Sequence, residues 1–125
     1  MSKIKIFNRS KQTVVASEAE VAETSWGRLK GLLGRTAEEF PHGKGLWIIP
    51  SQGVHTLGMS FPIDVAYINA QRKVIYVLHR LRPFRVAAVK LKAHSVIELP
   101  AGVLVQTDTS VGDVLEISEI EAEGD

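Results

Sequence analysis

The chain opens with apolar residues at every second position. Ile4 and Ile6 alternate with Lys3, Lys5 and Asn8, the period of a half-buried strand. A polar turn over Asn8-Arg9-Ser10-Lys11 followed by Thr13-Val14-Val15-Ala16 makes this an opening hairpin, and Glu18 to Ala22 carry the alternation on. The period then changes. Trp26, Leu29, Leu32 and Leu33 recur at spacings of three and four, which predicts a short amphipathic helix capped by Thr24 or Ser25. Gly34 is its expected stop, and Lys30 and Arg35 suit the negative end of the helix dipole.

Beyond the helix the pattern is of strands and turns. Thr36 to Lys44, with Pro41 and Gly43, reads as a loop, and Gly45-Leu46-Trp47-Ile48-Ile49 as a buried strand ended by Pro50. Val65 to Asn69 is a second buried strand, which turns through Arg72 and Lys73 into a returning strand over Val74 to Leu78. Arg80 to Lys92, around Pro83, reads as a long, mobile, basic loop. Ser95 to Leu99 is another strand, closed by Pro100-Ala101-Gly102, and Val103 to Ser110 fits either a strand or a short turn of helix. Gly112-Asp113 is a turn and Val114 to Ile117 the last strand. Many short strands with turn signals between them predict a mainly β fold, β-barrel-like or a β-sandwich, with the one short amphipathic helix packed on it. Residues 1–118 are expected to form a single β-rich domain, and residues 119–125 an acidic, disordered tail.

Composition narrows the chemistry. The formal charge of +1 predicts no global attraction to nucleic acid or to membranes. The charges are nevertheless segregated. No acidic residue stands between Asp64 and Glu98, where Arg72, Lys73, Arg80, Arg82, Arg85, Lys90 and Lys92 all fall, while the C-terminal segment carries Asp113, Glu116, Glu119, Glu121 and Glu123. There is no cysteine, so disulfides, thiolate chemistry and cysteine-based zinc sites are excluded. The amino terminus as given lacks the apolar run of a signal peptide, so a cytoplasmic protein is expected, or an exported one if a leader has been removed. His42, His55, His79 and His94 show no metal-ligand spacing with Asp64 or Glu98, so neither a metal nor a cofactor is expected.

The densest chemistry lies in Val54-His55-Thr56-Leu57-Gly58-Met59-Ser60-Phe61-Pro62-Ile63-Asp64-Val65. His55 and Asp64 could form the orienting half of a catalytic triad, with Thr56, Ser51 or Ser60 as hydroxyl, although none of these sits in a Gly-x-Ser-x-Gly elbow. Alternatively His55 and Thr56 bond the neighbouring backbone, and Asp64 caps the turn at Pro62. Val54, Leu57, Met59 and Phe61 surround His55 in sequence, so it is expected to be largely buried at the barrel rim.

Several stretches together resemble the domain-of-unknown-function family numbered 192. They are Gly31-Leu32-Leu33-Gly34-Arg35, Gly45-Leu46-Trp47-Ile48-Ile49-Pro50, Val54-His55-Thr56-Leu57-Gly58-Met59, Phe61-Pro62-Ile63-Asp64-Val65, Val96-Ile97-Glu98-Leu99-Pro100-Ala101-Gly102 and Val111-Gly112-Asp113, in the family's order. The chain is similar to the branch with His-Thr at positions 55 and 56, but has Ser60 where that branch usually has arginine and Ser51 where it often has cysteine. The resemblance implies a compact β-barrel-like or sandwich fold and brings no established activity.

Two functions remain open on this reading. The first is a noncatalytic binding or accessory module for a small anionic ligand or a protein partner, using His55, Thr56, Asp64, Arg80, Arg82 and Arg85. The second is a hydrolase-type enzyme built on His55, Asp64 and a hydroxyl. Trp26, Gly34, Gly58, Pro62, Glu98, Gly102 and Asp113 are expected to be structural. Tyr76 and Phe84 are too few aromatics among the cations for a single-strand nucleic-acid groove.

Overall fold

The computed structural model describes residues 3–120, without the side chains of Ser25, Trp26 and Leu29. Seven strands form one sheet: β1 (Lys3–Asn8), β2 (Thr13–Ala22), β3 (Lys44–Ile48), β4 (Ile63–Ile68), β5 (Val74–Leu81), β6 (Ser95–Pro100) and β7 (Leu115–Glu119). Their order is β5-β4-β6-β3-β2-β1-β7. All neighbours pair antiparallel except β2 and β3, which run parallel and are joined by a crossover containing α1 (Ser25–Lys30) and a 3-10 turn, Ala37–Glu39. A parallel pair needs such a crossover because a tight turn cannot return the chain in the same direction.

The sheet curls until its two outer strands meet at one end. There Val74 N–H donates to Asp113 O (2.8 Å), Gly112 N–H to Val74 O (2.8 Å) and Leu115 N–H to Arg72 O (2.9 Å). Register shifts in the β1–β2 and β4–β5 ladders add the local twist that a curled sheet requires. The result is a half-barrel, mainly β with one short helix, as the alternation in the sequence predicts.

Both faces of the middle strands are buried, β4 and β6 along their whole lengths. Ile4, Ile6, Ile97, Leu99 and Leu104 belong to one apolar cluster. Leu32, Ile48, Met59, Phe61, Val65 and Val96 belong to a second one, on the other side of the sheet, which α1 and the loops after β3 and β5 cover. Along β6, Ile97 and Leu99 go to the first cluster and Val96 to the second, so Glu98 shares the second face.

Several elements differ in their bounds from the sequence reading, or decide what it left open. The helix is shorter than its apolar spacing suggests. Thr24 caps it, its side chain accepting from Gly27 N–H, but it ends at Gly31, whose φ of 49° breaks the spiral before Leu32 and Leu33. Gly34, also at positive φ, lies in the turn that follows. β2 is one continuous strand, and β5 extends to Leu81 rather than Leu78. Val103–Gln106 is a single helical turn, α2, and β7 runs through Glu119, past the expected start of the tail. Residues 121–125, the rest of that expected tail, lie outside the described residues, as does the side chain of Trp26. No helix among the described residues is long and apolar enough to cross a membrane.

Candidate functional site

The stretch from Val54 to Asp64 forms the connection from β3 to β4, and its polar side chains are spent on backbone. Asp64 is fully buried. Its Oδ1 accepts the N–H of Arg80 (2.9 Å), and its Oδ2 accepts those of Gly102 (3.0 Å) and Leu104 (2.9 Å). One carboxylate thus ties β4 to the bend in β5 and to the start of α2. Gly102 can take its φ of 93° there because it has no Cβ, and that conformation turns its N–H toward Asp64. Pro62, exposed, sets the entry to the strand.

Thr56 is fully buried as well. Its hydroxyl donates to Arg82 O (2.6 Å) and accepts Arg85 N–H (2.9 Å), while its own backbone exchanges bonds with Arg85 O and Phe84 N–H. Gly58, at φ 81°, closes the turn that returns Met59 N–H to Thr56 O. His55 is exposed, not buried as its apolar neighbours suggest: it lies on the outer edge, paired with Val86, where its Nδ1 accepts Leu57 N–H (3.3 Å). Val54, Met59 and Phe61 turn into the core while Leu57 is exposed like His55 itself, so sequence proximity misjudged its surroundings. His55, Thr56 and Asp64 do not converge, since every oxygen of Asp64 and the hydroxyl of Thr56 is engaged elsewhere.

The basic segment from Arg82 to Lys92 is a strap, not a free loop. Besides the bonds to Thr56, Ala87 N–H donates to Val54 O, Lys90 N–H to Gln52 O, and Tyr67 Oη to Ala88 O. The Lys90 ammonium lies over the Tyr76 ring at 4.1 Å. Pinned in this way, the strap turns its apolar side chains outward: Phe84, Val86, Val89 and Leu91 are between 63 and 80% exposed. Arg80, Arg82 and Arg85 are exposed beside them.

Under the end of α1 lies a cavity of about 120 Å³. Leu32, Val54 and Met59 wall it, Arg28, Lys30 and His55 stand among its polar lining, and Glu98 reaches it from β6. Glu98 is 3% exposed, and among the described residues its Oε1 has no hydrogen-bond partner. A Cβ added to Gly31 would sit 3.9 Å from that oxygen, so the atom faces the helix terminus. Burial pushes the Glu98 carboxyl up to about 8, although the charge of Arg35 works against it. At neutral pH Glu98 is therefore a neutral acid, able to donate one hydrogen bond and accept others. The sequence reading left Glu98 as a structural residue. The signal that points to it is a lone carboxyl inside the otherwise apolar run Val96-Ile97-Glu98-Leu99.

Asp113 presents the ordinary case. Burial opposes its ionisation, but hydrogen bonds from Asn8, Ser110 N–H and Lys11 outweigh it and hold the carboxyl below its usual range. It pins the closing seam of the half-barrel. No group of three or more His, Cys, Asp or Glu among the described residues is placed to hold a metal ion.

Comparison with known proteins gives one answer. Residues 6–117 match the model of the DUF192 family, described as "Uncharacterized ACR". UPF0127 proteins of Thermococcus sibiricus and Pyrococcus furiosus are each 28% identical over 116 residues, 89% of this chain and 73% and 96% of theirs. The fold is similar to the crystal structure of a protein of unknown function from Novosphingobium aromaticivorans, with a TM-score of 0.77 at 20% identity over 91% of this chain and 83% of that one. It is also similar to that of a "putative transcription regulator" from Sinorhizobium meliloti, with a TM-score of 0.75 at 20% identity over 92% of both chains. The resemblance in the sequence motifs, the half-barrel and the family match agree: the chain belongs to the DUF192 family.

Proposed function

We propose that this protein is a noncatalytic binding module that holds an acidic protein partner on the strap from Arg82 to Lys92 and the adjoining Arg80. The observation that supports it best is the strap itself. Four large apolar side chains stand in water beside Arg80, Arg82 and Arg85, in a stretch without an acidic residue, and the ribbon that carries them is hydrogen-bonded along its length. Exposed apolar groups of this size, rimmed by charge of one sign, are what interaction surfaces require. The rigidity matters because a backbone already held in place need not be ordered on binding.

An enzyme reading has less support. It needs His55, Asp64 and a hydroxyl in one place, and two of these are committed to backbone groups far from reaction geometry. The probe for the module is a labelled acidic peptide of alternating Glu and Leu, followed by fluorescence anisotropy. Replacing Arg80, Arg82 and Arg85 together by Gln should weaken it by about tenfold or more at low salt. Phe84→Ser with Val86→Ser should weaken what binding survives at high salt. Equal binding by wild type and both variants sinks the proposal.

A further inference from the structure

The cavity under α1 is a separate feature from the strap and points to a ligand of its own. We propose that it is a binding site for a short-chain monocarboxylate, whose carboxylate meets the unpartnered oxygen of Glu98 and the cations Arg28 and Lys30, and whose alkyl part lies against Leu32, Val54 and Met59. Each part of that ligand answers a part of the cavity. Its volume of about 120 Å³ admits only a few heavy atoms. Three of its walls are apolar, and the two cations among its lining favour an anion over an amine.

Glu98 supplies the reason for a carboxylate in particular. A buried polar atom without a partner costs stability unless something outside the chain satisfies it. Two carboxyl groups at hydrogen-bond distance share one proton, since both cannot ionise there. With burial raising the Glu98 carboxyl to about 8, that shared proton is Glu98's own at neutral pH, so the ligand arrives as its ordinary anion. Of the other titratable and charged groups around the cavity, Arg28 and Lys30 line it from α1 and His55 from the β3–β4 connection, while the charge of Arg35 acts on Glu98 from the turn after α1 and Tyr67 is coupled to it from β4. Burial, ahead of the charges of Tyr76 and Glu98, pushes the Tyr67 hydroxyl up to about 12.

The test is a titration of wild type with acetate, propionate and butyrate, read by NMR shift changes at residues 31–33, 54 and 98. It is run at about pH 6.5 and about pH 9.5, on either side of the Glu98 ionisation and above that of an ordinary histidine at the upper end. Affinity should rise from acetate to butyrate and fall by about tenfold or more at the higher pH. Glu98→Gln keeps a hydrogen-bond donor at every pH, so it should still bind butyrate, with the pH dependence greatly reduced. His55→Gln should leave that dependence in place. Three results overturn the proposal: no binding by wild type, n-butylammonium binding as tightly as butyrate, or an unchanged pH dependence in Glu98→Gln. Because the strap variants leave the cavity untouched, failure here is distinguishable from failure of the partner surface.

Discussion

Asp64 and Glu98 stand on neighbouring strands of one sheet. Val65 is paired with Glu98 and Asp64 with Leu99, and both carboxyls are shut away from water. Their circumstances are opposite. Asp64 lies where two other chain segments bring backbone N–H groups to it, one from Arg80 near the end of β5 and two from Gly102 and Leu104 at the start of α2. Glu98 lies in mid-strand, where the neighbouring backbone groups are already spent on the ladders to β3 and β4. A carboxylate at a junction of elements is surrounded by unused donors. The same group in the middle of a sheet finds none, and keeps its proton instead.

The largest effect expected from this contrast is on Asp64. Asp64→Ala leaves three buried N–H groups without a partner, and removing a buried hydrogen-bond network of that size costs about 3–5 kcal/mol. Urea unfolding measures it. A loss below about 1 kcal/mol would show that the junction relaxes or that water replaces the carboxylate, and the contrast with Glu98 would collapse.

Glu98 should behave in the reverse sense, and pH separates the two. Its carboxyl is raised from 4.5 to about 8 on folding. Between those values the folded chain keeps a proton that the unfolded chain has released, so stability falls as pH rises through this window and is fully present only below it. A tenfold change in acid strength corresponds to about 1.4 kcal/mol, so the decline amounts to a few kcal/mol across the window. Glu98→Gln cannot release a proton and should be the more stable protein at about pH 8, with a flatter profile than wild type in guanidinium unfolding. A steeper or unchanged profile would place the titrating group elsewhere.

The fold was legible in the sequence because alternation and turn residues are local. Ile4 and Ile6, the run from Gly45 to Ile48 and the apolar Val65 to Ile68 all became strands. What was not legible depends on contacts between distant segments. Nothing in Val14 to Ala22 announces that β2 will lie parallel to β3, because that pairing is set by the crossover. The basic segment looked free because its restraints come from Val54, Thr56 and Gln52, some thirty residues upstream. Asp64 could be assigned to backbone bonding from the proline corner beside it, but its partners could not be named. His55 was misplaced because apolar neighbours in an irregular segment need not face the same way. Glu98 is the instructive miss: a charge in an apolar strand is visible in the sequence, but whether it meets a partner is decided by the strands on either side.

The smallest expected effect sharpens the same contrast from the surface. Glu18 is drawn down to about 2, a change nearly as conspicuous as that of Glu98, first by hydrogen bonds from Lys44 and Lys3 and then by their charges. The bonds are short, Lys3 Nζ to Oε1 at 2.9 Å and Lys44 Nζ to the same oxygen at 2.7 Å. Yet all three side chains are well exposed, 39% for Glu18 and 54% and 43% for the lysines. Water and salt already solvate these charges when the chain is unfolded, so bringing them together gains little, whereas the burial of Glu98 removes solvation that nothing in the protein restores. Glu18→Gln should therefore leave the melting temperature unchanged within error at physiological salt, with at most a slight loss at low ionic strength. A drop comparable to that of Asp64→Ala would mean that this triad of charges is sheltered, and that how far a carboxyl's pKa moves, not how deeply it is buried, measures what it contributes here.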